Sequence, residues 1–215
     1  MSVRVKICGL TRVQDVQAAV AAGAEAVGLN FVPGTPRYLA SLENAGNLVR
    51  AAGTGILKVG VFAKAEPEAV VQTAARAGLD IVQLHGEETA DYGRRLRERL
   101  PGTVQLWKVY RVSSLEDRAR IDGEDWPCEA VLLDARVDGT LGGTGRTFDW
   151  DLLAGWTPPR VLILAGGLHP GNVAEAVRRV RPVWVDTASG VESAPGVKDG
   201  AKLRAFVEAA RAASR

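Results

Sequence analysis

Residues 21–31 read AAGAEAVGLNF, and residues 76–86 read RAGLDIVQLHG. In both stretches the end of an alanine-rich segment with helical spacing meets a glycine, and a short apolar run begins within three residues of it. A glycine that ends a helix readily adopts the left-handed conformation, and the apolar run after it is typical of a buried strand. The two stretches therefore predict the same unit, a helix followed by a strand.

Runs of the same kind recur along the whole chain. Eight short apolar or β-branched runs lie at residues 3–8, 26–31, 56–62, 80–85, 104–110, 130–134, 161–165 and 183–188. Polar loops and alanine-rich segments separate them, and such alternation predicts parallel strands joined by right-handed crossovers. We expect an α/β fold, a single-domain (β/α)₈ TIM barrel over residues 1–215. An open doubly wound sheet is the alternative, because a count of strands does not prove closure.

The first helix carries a start signal and a stop signal. Thr11 and Gln14 have the spacing of a capping box, in which the two side chains bond to each other's backbone N–H groups. Apolar residues at positions 13, 16 and 20 continue the helical pattern, and Gly23 ends it. We expect the helix to run between Thr11 and Gly23.

Composition narrows the class of protein. The 215 residues carry a formal net charge of +2, which does not indicate a nucleic-acid or membrane partner. Two distant cysteines, Cys8 and Cys128, exclude a C-x-x-C zinc framework and a disulfide-rich scaffold. The N-terminus lacks a signal-peptide pattern, and no apolar run has membrane-spanning length. We expect a cytoplasmic enzyme or binding protein.

Barrels of this kind carry their active sites at the C-terminal ends of the strands. The residues at the predicted ends are Cys8, Asn30, Phe62, His85, Tyr110, Arg111, Asp134 and Asp186, together with the loops at 165–167 and 189–192. A thiol, two carboxylates, a histidine and glycine pairs around one rim indicate a reaction centre.

The first strand places Lys6 and Cys8 on one face. A free thiol is mostly protonated at neutral pH, and a cation below it, with the start of a helix at Thr11, would raise the thiolate fraction. Such a thiolate can act as a nucleophile or as a base. The alternative is a small buried apolar residue at Cys8 and an interior ion pair at Lys6.

Asp134 ends the apolar run AVLLD, where a carboxylate is costly to bury without a partner or a function. Desolvation there would raise its pKa toward the range of a general acid. A helix cap or a pair with Arg136 is equally open. The glycine-rich stretch at 138–150 lacks both nucleotide-binding fingerprints and is either a mobile lid or a long turn.

The loops after the last two strands predict an anion site. Gly166 and Gly167 follow the seventh strand, and Ser189 and Gly190 follow the eighth, where barrels commonly bind phosphate through backbone N–H groups. Arg37, in the loop PGTPRY, is either a bidentate receptor for a carboxylate or phosphate or a surface arginine.

Taken together, these stretches resemble the phosphoribosylanthranilate isomerase family, which performs an Amadori rearrangement in tryptophan biosynthesis. The resemblance runs nearly end to end. The matching strings, in the order of the family, are VKICGLTR, GLNFVPGTPRY, VGVF, VQLHG, LLDA followed by GGTGRTFDW, LAGGLHPGNV, and VDTASGVE with PGVKD after it.

The resemblance implies that Cys8 is the general base and Asp134 the general acid. The acid protonates the ribose ring oxygen as the ring opens to a Schiff base, and the base takes the proton from C2 of the sugar. The resemblance implies no metal and no organic cofactor, because the anthranilate nitrogen of the substrate acts as the electron sink.

The resemblance also implies that Arg37 faces the anthranilate carboxylate and that Asp186 contacts the substrate. It implies that the phosphate is held by Gly166, Gly167, Ser189 and Gly190. We expect His85 to line the substrate site as well. Two positions depart from the family: Ala188 stands where serine is common, and Thr187 where an aliphatic residue is frequent. The expected partner is a small phosphosugar, bound by a monomer or a homodimer.

Three other functions compete with this one. The histidine-pathway aminoaldose isomerase has an aspartate where Cys8 stands and a second phosphate site, but the loops after strands three and four lack glycine pairs. A second alternative is a barrel that binds a ligand without turnover; loss of Cys8 or Asp134 would indicate it, and both residues are present. A metal-dependent phosphopentose epimerase needs histidine and carboxylate ligands on several strand ends, and only His85 lies on one.

Overall fold

The computed structural model describes residues 2–135 and 150–214. Eight parallel strands close into a barrel in chain order, and β8 pairs with β1. The strands are β1 (Arg4–Ile7), β2 (Ala26–Asn30), β3 (Leu57–Phe62), β4 (Ile81–Leu84), β5 (Gln105–Val112), β6 (Ala130–Ala135), β7 (Val161–Leu164) and β8 (Trp184–Thr187). The predicted (β/α)₈ barrel is confirmed, and the open sheet was the wrong alternative.

Seven α-helices among the described residues surround the barrel. They are α1 (Val13–Ala22), α2 (Leu42–Ala52), α3 (Pro67–Ala77), α4 (Ala90–Arg97), α5 (Leu115–Gly123), α6 (Val173–Val180) and α7 (Gly200–Ala213). None of these described helices is long and apolar enough to cross a bilayer. Between β6 and β7 the described part of the chain holds only a short 3₁₀ helix, Trp150–Leu153. Arg136 and all but the last residue of the glycine-rich stretch lie outside the described residues.

The stop signal of α1 is confirmed and its start signal is wrong. Gly23 ends α1 with φ 95°, in the left-handed region where glycine is favoured. The N-cap is Arg12, whose side chain makes no capping bond. The Thr11 hydroxyl instead donates to the carbonyl oxygen of Gly196 at 2.8 Å. The Thr11 hydroxyl, which local spacing predicts to cap the helix, therefore binds a distant backbone carbonyl instead.

Gly196 belongs to the turn of a two-stranded antiparallel ribbon that follows β8. Its strands are β9 (Glu192–Ala194) and β10 (Val197–Lys198). Besides the Thr11 bond, the backbone N–H of Lys198 donates to Oδ2 of Asp15 at 3.1 Å. These two hydrogen bonds hold the ribbon against the start of α1.

The barrel interior is apolar at its amino end. The apolar side chains inside the barrel are Ala26, Val59, Ile81, Trp107, Val109, Ala130, Leu132, Ile163, Ala165 and Trp184, of which Leu132 and Ala165 lie nearer the carboxyl end. Trp107 and Trp184 meet edge to face with ring centroids 5.6 Å apart, and the Arg4 guanidinium lies 4.1 Å from the Trp184 ring. Because these rings fill the lower barrel, the inward residues that come next on each strand lie at its mouth.

Two residues predicted for the rim face the helices instead. Phe62 is buried in the outer core and stacks on Phe31 with centroids 5.2 Å apart. The Tyr110 hydroxyl donates to Oε2 of Glu124 at 2.8 Å. Both lie out of phase with the inward-facing residues of their strands, which repeat every second position.

Candidate active site

A cavity opens at the C-terminal ends of the barrel strands. Eight of the nine predicted site residues line it: Cys8, Arg37, His85, Asp134, Gly166, Gly167, Asp186 and Ser189. Gly190 is not among the lining residues. Its Cα lies so close to the carbonyl oxygen of Leu168 that a Cβ would collide with it. Gly190 therefore allows the loops after β7 and β8 to pack together.

Cys8 follows β1 directly, and its backbone N–H donates to the carbonyl oxygen of Thr187 at 2.8 Å. The neighbouring strand β2 presents Gly28 to the thiol. A Cβ at position 28 would lie 2.8 Å from Sγ of Cys8, closer than a real Cβ tolerates. Gly28 is therefore the residue that makes room for the thiol.

Below Cys8 lies an ion pair within the barrel. Nζ of the fully buried Lys6 donates to Oδ2 of Asp186 at 2.9 Å. Burial lowers the pKa of Lys6, but the Asp186 carboxylate and Cys8 more than offset it, so the pKa lies above its ordinary value and Lys6 is an ammonium. Oδ1 of Asp186 is buried without a hydrogen-bond partner among the described residues. Asp186 itself is one of the residues that line the cavity.

The thiol of Cys8 is protonated at rest. Burial raises its pKa, Lys6 and Lys198 lower it, and Asp186 raises it again, with a net pKa above the ordinary value. The predicted sign of the Lys6 contribution is confirmed. The cations do not raise the thiolate fraction above that of a free thiol, because desolvation of the buried thiol outweighs them.

His85 joins Asp134 to a third polar residue. Nε2 of His85 lies 3.4 Å from Oδ2 of Asp134, and Nδ1 lies 3.5 Å from Nε2 of Gln83. Gln83 is buried, lines the cavity, and its Oε1 has no hydrogen-bond partner among the described residues. Sequence reasoning missed Gln83. Its signal was a polar residue two positions before His85, on the same face of a buried strand.

Arg37 crosses the cavity edge and binds Glu192 through a bidentate contact. Nε of Arg37 donates to Oε1 of Glu192 at 2.8 Å, and Nη2 donates to Oε2 at 2.6 Å. Nζ of Lys198 donates to the same Oε1 at 2.8 Å. Burial raises the pKa of Glu192, but the bonds from Arg37 and Lys198 hold it below its ordinary value. Glu192 is therefore an ionised carboxylate between two cations.

The loops after β7 and β8 form one wall of the cavity. Gly166 and Gly167 have φ 83° and 64°, which only glycine adopts freely. Nδ2 of Asn172 donates to the Gly167 carbonyl oxygen at 3.0 Å, and the Thr187 hydroxyl donates to that of Leu168 at 2.7 Å. The hydroxyl at position 187 thus ties the loop after β7 to strand β8.

The sequence as a whole matches a family model described as N-(5'phosphoribosyl)anthranilate (PRA) isomerase over residues 5–209. The chain belongs to this isomerase family. A phosphoribosylanthranilate isomerase of Myxococcus xanthus is 47% identical over 98% of this chain and 97% of its own length. That of Magnetococcus marinus is 44% identical over 99% and 97%.

Solved structures of phosphoribosylanthranilate isomerases share the barrel. The Thermotoga maritima protein superposes with a TM-score of 0.86 at 38% identity, covering 98% of this chain and 99% of that one. Another, in complex with reduced 1-(o-carboxyphenylamino)-1-deoxyribulose 5-phosphate, gives a TM-score of 0.83 at 36% identity over 98% and 99% of the two chains. Similarity to the family thus extends over the whole barrel.

Sequence reasoning also left Glu192 and Lys198 without a role, although both lie in strings that resemble the phosphoribosylanthranilate isomerase family. Both are buried charges, at 8% and 6% exposure. Charged residues are seldom buried unless they are paired. Only the folded ribbon brings this pair to Arg37 and Cys8.

Proposed function

We propose that this chain is an N-(5'-phosphoribosyl)anthranilate isomerase of tryptophan biosynthesis, which converts the aminoaldose to 1-(2-carboxyphenylamino)-1-deoxyribulose 5-phosphate. The observation that carries the proposal is that Cys8, at the end of β1, and Asp134, at the end of β6, line one cavity. A proton donor and a proton acceptor on two sides of one cavity suit an aldose-to-ketose rearrangement, which moves protons between neighbouring substrate atoms.

In the first step, Asp134 gives its proton to the ring oxygen of the ribose. The bond from C1 to that oxygen breaks, and the electron pair of the anthranilate nitrogen forms the C1–N double bond of a protonated Schiff base. His85, 3.4 Å from Asp134, is placed to orient this carboxyl group.

In the second step, the Cys8 thiolate takes the proton from C2. The C2–H electron pair moves toward the iminium nitrogen and gives an enolamine, which tautomerises to the ketone. Because the resting thiol is protonated, it first releases its proton to solvent, and the thiolate then takes up the C2 proton in its place. The buried Lys6 ammonium stabilises that thiolate by charge attraction in a medium of low dielectric constant.

The remaining cavity residues bind the substrate. Arg37 is proposed to receive the anthranilate carboxylate, and Oδ1 of Asp186 to accept a hydrogen bond from a sugar hydroxyl. His85 completes the sugar site. The phosphate is proposed to lie against Gly166, Gly167, Ser189 and Gly190, with Gly190 acting through the position of its loop. No metal or organic cofactor enters these steps.

The wider setting is part of the proposal. We place the chain in the cytoplasm as a single catalytic domain over residues 1–215, a monomer or homodimer without nucleic-acid or membrane partners. Both cysteines are free thiols, which suits a reducing compartment. A Thermotoga maritima relative is described as dimeric. Light scattering on the purified protein measures the oligomeric state.

The test is turnover of freshly generated phosphoribosylanthranilate, followed by loss of anthranilate fluorescence. Fast turnover by the wild type, with collapse in folded Cys8→Ser and Asp134→Asn variants, supports both roles. A wild type that binds the reduced product but turns nothing over would instead be a ligand-binding barrel. A wild type that binds neither substrate nor reduced product would contradict the substrate assignment.

A further inference from the structure

The ribbon formed by β9 and β10 contributes two buried charges that the proposed reaction does not use. Glu192 and Lys198 form an ion pair with Nζ and Oε1 2.8 Å apart. A buried pair of this kind gives little net stability, because desolvation of both groups offsets their attraction. The further hydrogen bonds of the two side chains are with Arg37, Cys8 and Ala188, all of which line the cavity.

Lys198 fixes the position of Glu192. Its ammonium has three N–H donors, and three acceptors lie within hydrogen-bond distance of Nζ. They are the carbonyl oxygen of Cys8 at 2.6 Å, that of Ala188 at 2.9 Å, and Oε1 of Glu192 at 2.8 Å. Because two of the acceptors are backbone atoms at the ends of β1 and β8, the ammonium is anchored to the barrel. Glu192 is anchored with it.

Glu192 in turn determines how Arg37 is presented to the cavity. It occupies Nε and Nη2, one edge of the guanidinium plane. Among the described residues no hydrogen bond reaches Nη1, so that nitrogen is left for a ligand. The side chains of Arg37, Lys198 and Glu192 together carry one net positive charge, which matches a single carboxylate.

Gly9 completes the arrangement on the other side of Arg37. It has φ 72°, and a Cβ there would collide with Cδ of Arg37. The stem of Arg37 therefore lies against bare backbone, while its head is held by Glu192. Few other orientations of the guanidinium remain.

We propose that Glu192 is a positioning residue that, anchored by Lys198, orients Arg37 for the carboxylate of the substrate and so sets the preference for an anthranilate over an aniline. This inference rests on the proposed function, since it concerns the same cavity. Glu192 acts only through Arg37. Its effect must therefore depend on the ligand carboxylate and on the presence of Arg37.

The experiment compares two ligands. One is reduced 1-(2-carboxyphenylamino)-1-deoxyribulose 5-phosphate, and the other is the same compound without the carboxyl group. Affinities are measured by calorimetry for wild type, Glu192→Gln, Arg37→Met and the double variant. Glu208→Gln, at an exposed position of α7, makes the same charge change away from the cavity and serves as the control.

We expect Glu192→Gln to weaken the carboxylated ligand about tenfold, the scale of one oriented charge-assisted hydrogen bond. The decarboxylated ligand should change less than about twofold, as both ligands should in Glu208→Gln. In the Arg37→Met background, Glu192→Gln should add nothing for either ligand.

Equal losses for both ligands, or a full further loss in the Arg37→Met background, would overturn the inference and make Glu192 a scaffold residue. Stability measured by urea unfolding identifies a variant that has lost its fold. In that case Glu192→Asp, which keeps the charge but is one methylene shorter, takes its place with the same expectations. A wild type without turnover and without preference for the carboxylated ligand would contradict the proposed function instead.

Discussion

The Lys6 ammonium lies 2.9 Å from Oδ2 of Asp186 inside the barrel, and the pair lies beneath the Cys8 thiol. Burial raises the pKa of Cys8, Lys6 lowers it, and Asp186 raises it. The two members of the pair thus act on the thiol in opposite directions. Reactivity of the thiol depends on their balance and not on Lys6 alone.

Lys6→Met should move the pH profile of Cys8 alkylation to higher pH, because the thiolate loses its nearest cation. The measurement is the rate of iodoacetamide modification against pH, in a Cys128→Ser background. Burial raises the pKa of Cys128 to about 11, and its removal leaves one thiol to follow. Asp186→Asn should move the profile the other way. An unchanged profile in Lys6→Met would show that the pair does not control the thiol.

Gly28→Ala should reduce turnover by at least tenfold while the barrel stays folded. The new methyl group would lie 2.8 Å from Sγ of Cys8 and displace the proposed base, and misplacement of a reacting group by about 1 Å can cost about a hundredfold. Gly102→Ala is the matched control, because a Cβ at position 102 meets no atom within 4 Å. Wild-type kcat in Gly28→Ala would mean that the position of the thiol is not critical.

The inward residues of the barrel could be predicted from the sequence because strands alternate with a period of two. Cys8, His85, Asp134 and Asp186 each end or follow a recognisable apolar run, and the fold brings all of them to one cavity. Tyr110 was assigned to the rim wrongly, because the inward side chains of β5 lie at odd positions such as Trp107 and Val109, and the strand continues to Val112.

The ribbon contacts could not be predicted in this way. Glu192 meets Arg37 across 155 residues of sequence, and Lys198 meets Cys8 across 190. No local spacing records such a contact. The sequence also does not show which of several acceptors a hydroxyl binds. Local spacing therefore predicts that Thr11 caps α1, although its hydroxyl binds the ribbon turn. The net pKa of Cys8 could not be predicted for a third reason, because the sequence shows a nearby cation but not the degree of desolvation.

Thr187→Val should cost about 1–3 kcal/mol of unfolding free energy, because it removes the hydroxyl bonded to the buried carbonyl of Leu168. Since Leu168 belongs to the loop proposed to hold phosphate, KM should rise more than kcat falls. Urea unfolding and steady-state kinetics measure the two effects. Thr103→Val, at an exposed position, should change neither. Unaltered stability in Thr187→Val would show that an aliphatic side chain, which is frequent at this position in the family, fits as well as threonine.

Glu192 should contribute to acid sensitivity. Burial raises its pKa, but Arg37 and Lys198 hold the folded-state pKa below the ordinary value of 4.5. The unfolded chain therefore binds the proton first as pH falls, and the stabilisation present above pH 4.5 is lost as pH drops through the folded-state pKa. Glu192→Gln should be less stable than wild type at pH 7 and should lose less stability between neutral pH and this acid range. Urea unfolding at a series of pH values measures both slopes, with Glu208→Gln expected to keep the wild-type slope. Parallel curves for wild type and Glu192→Gln would mean that Glu192 keeps its ordinary pKa in the folded protein, so that the two cations do not hold it in its charged form.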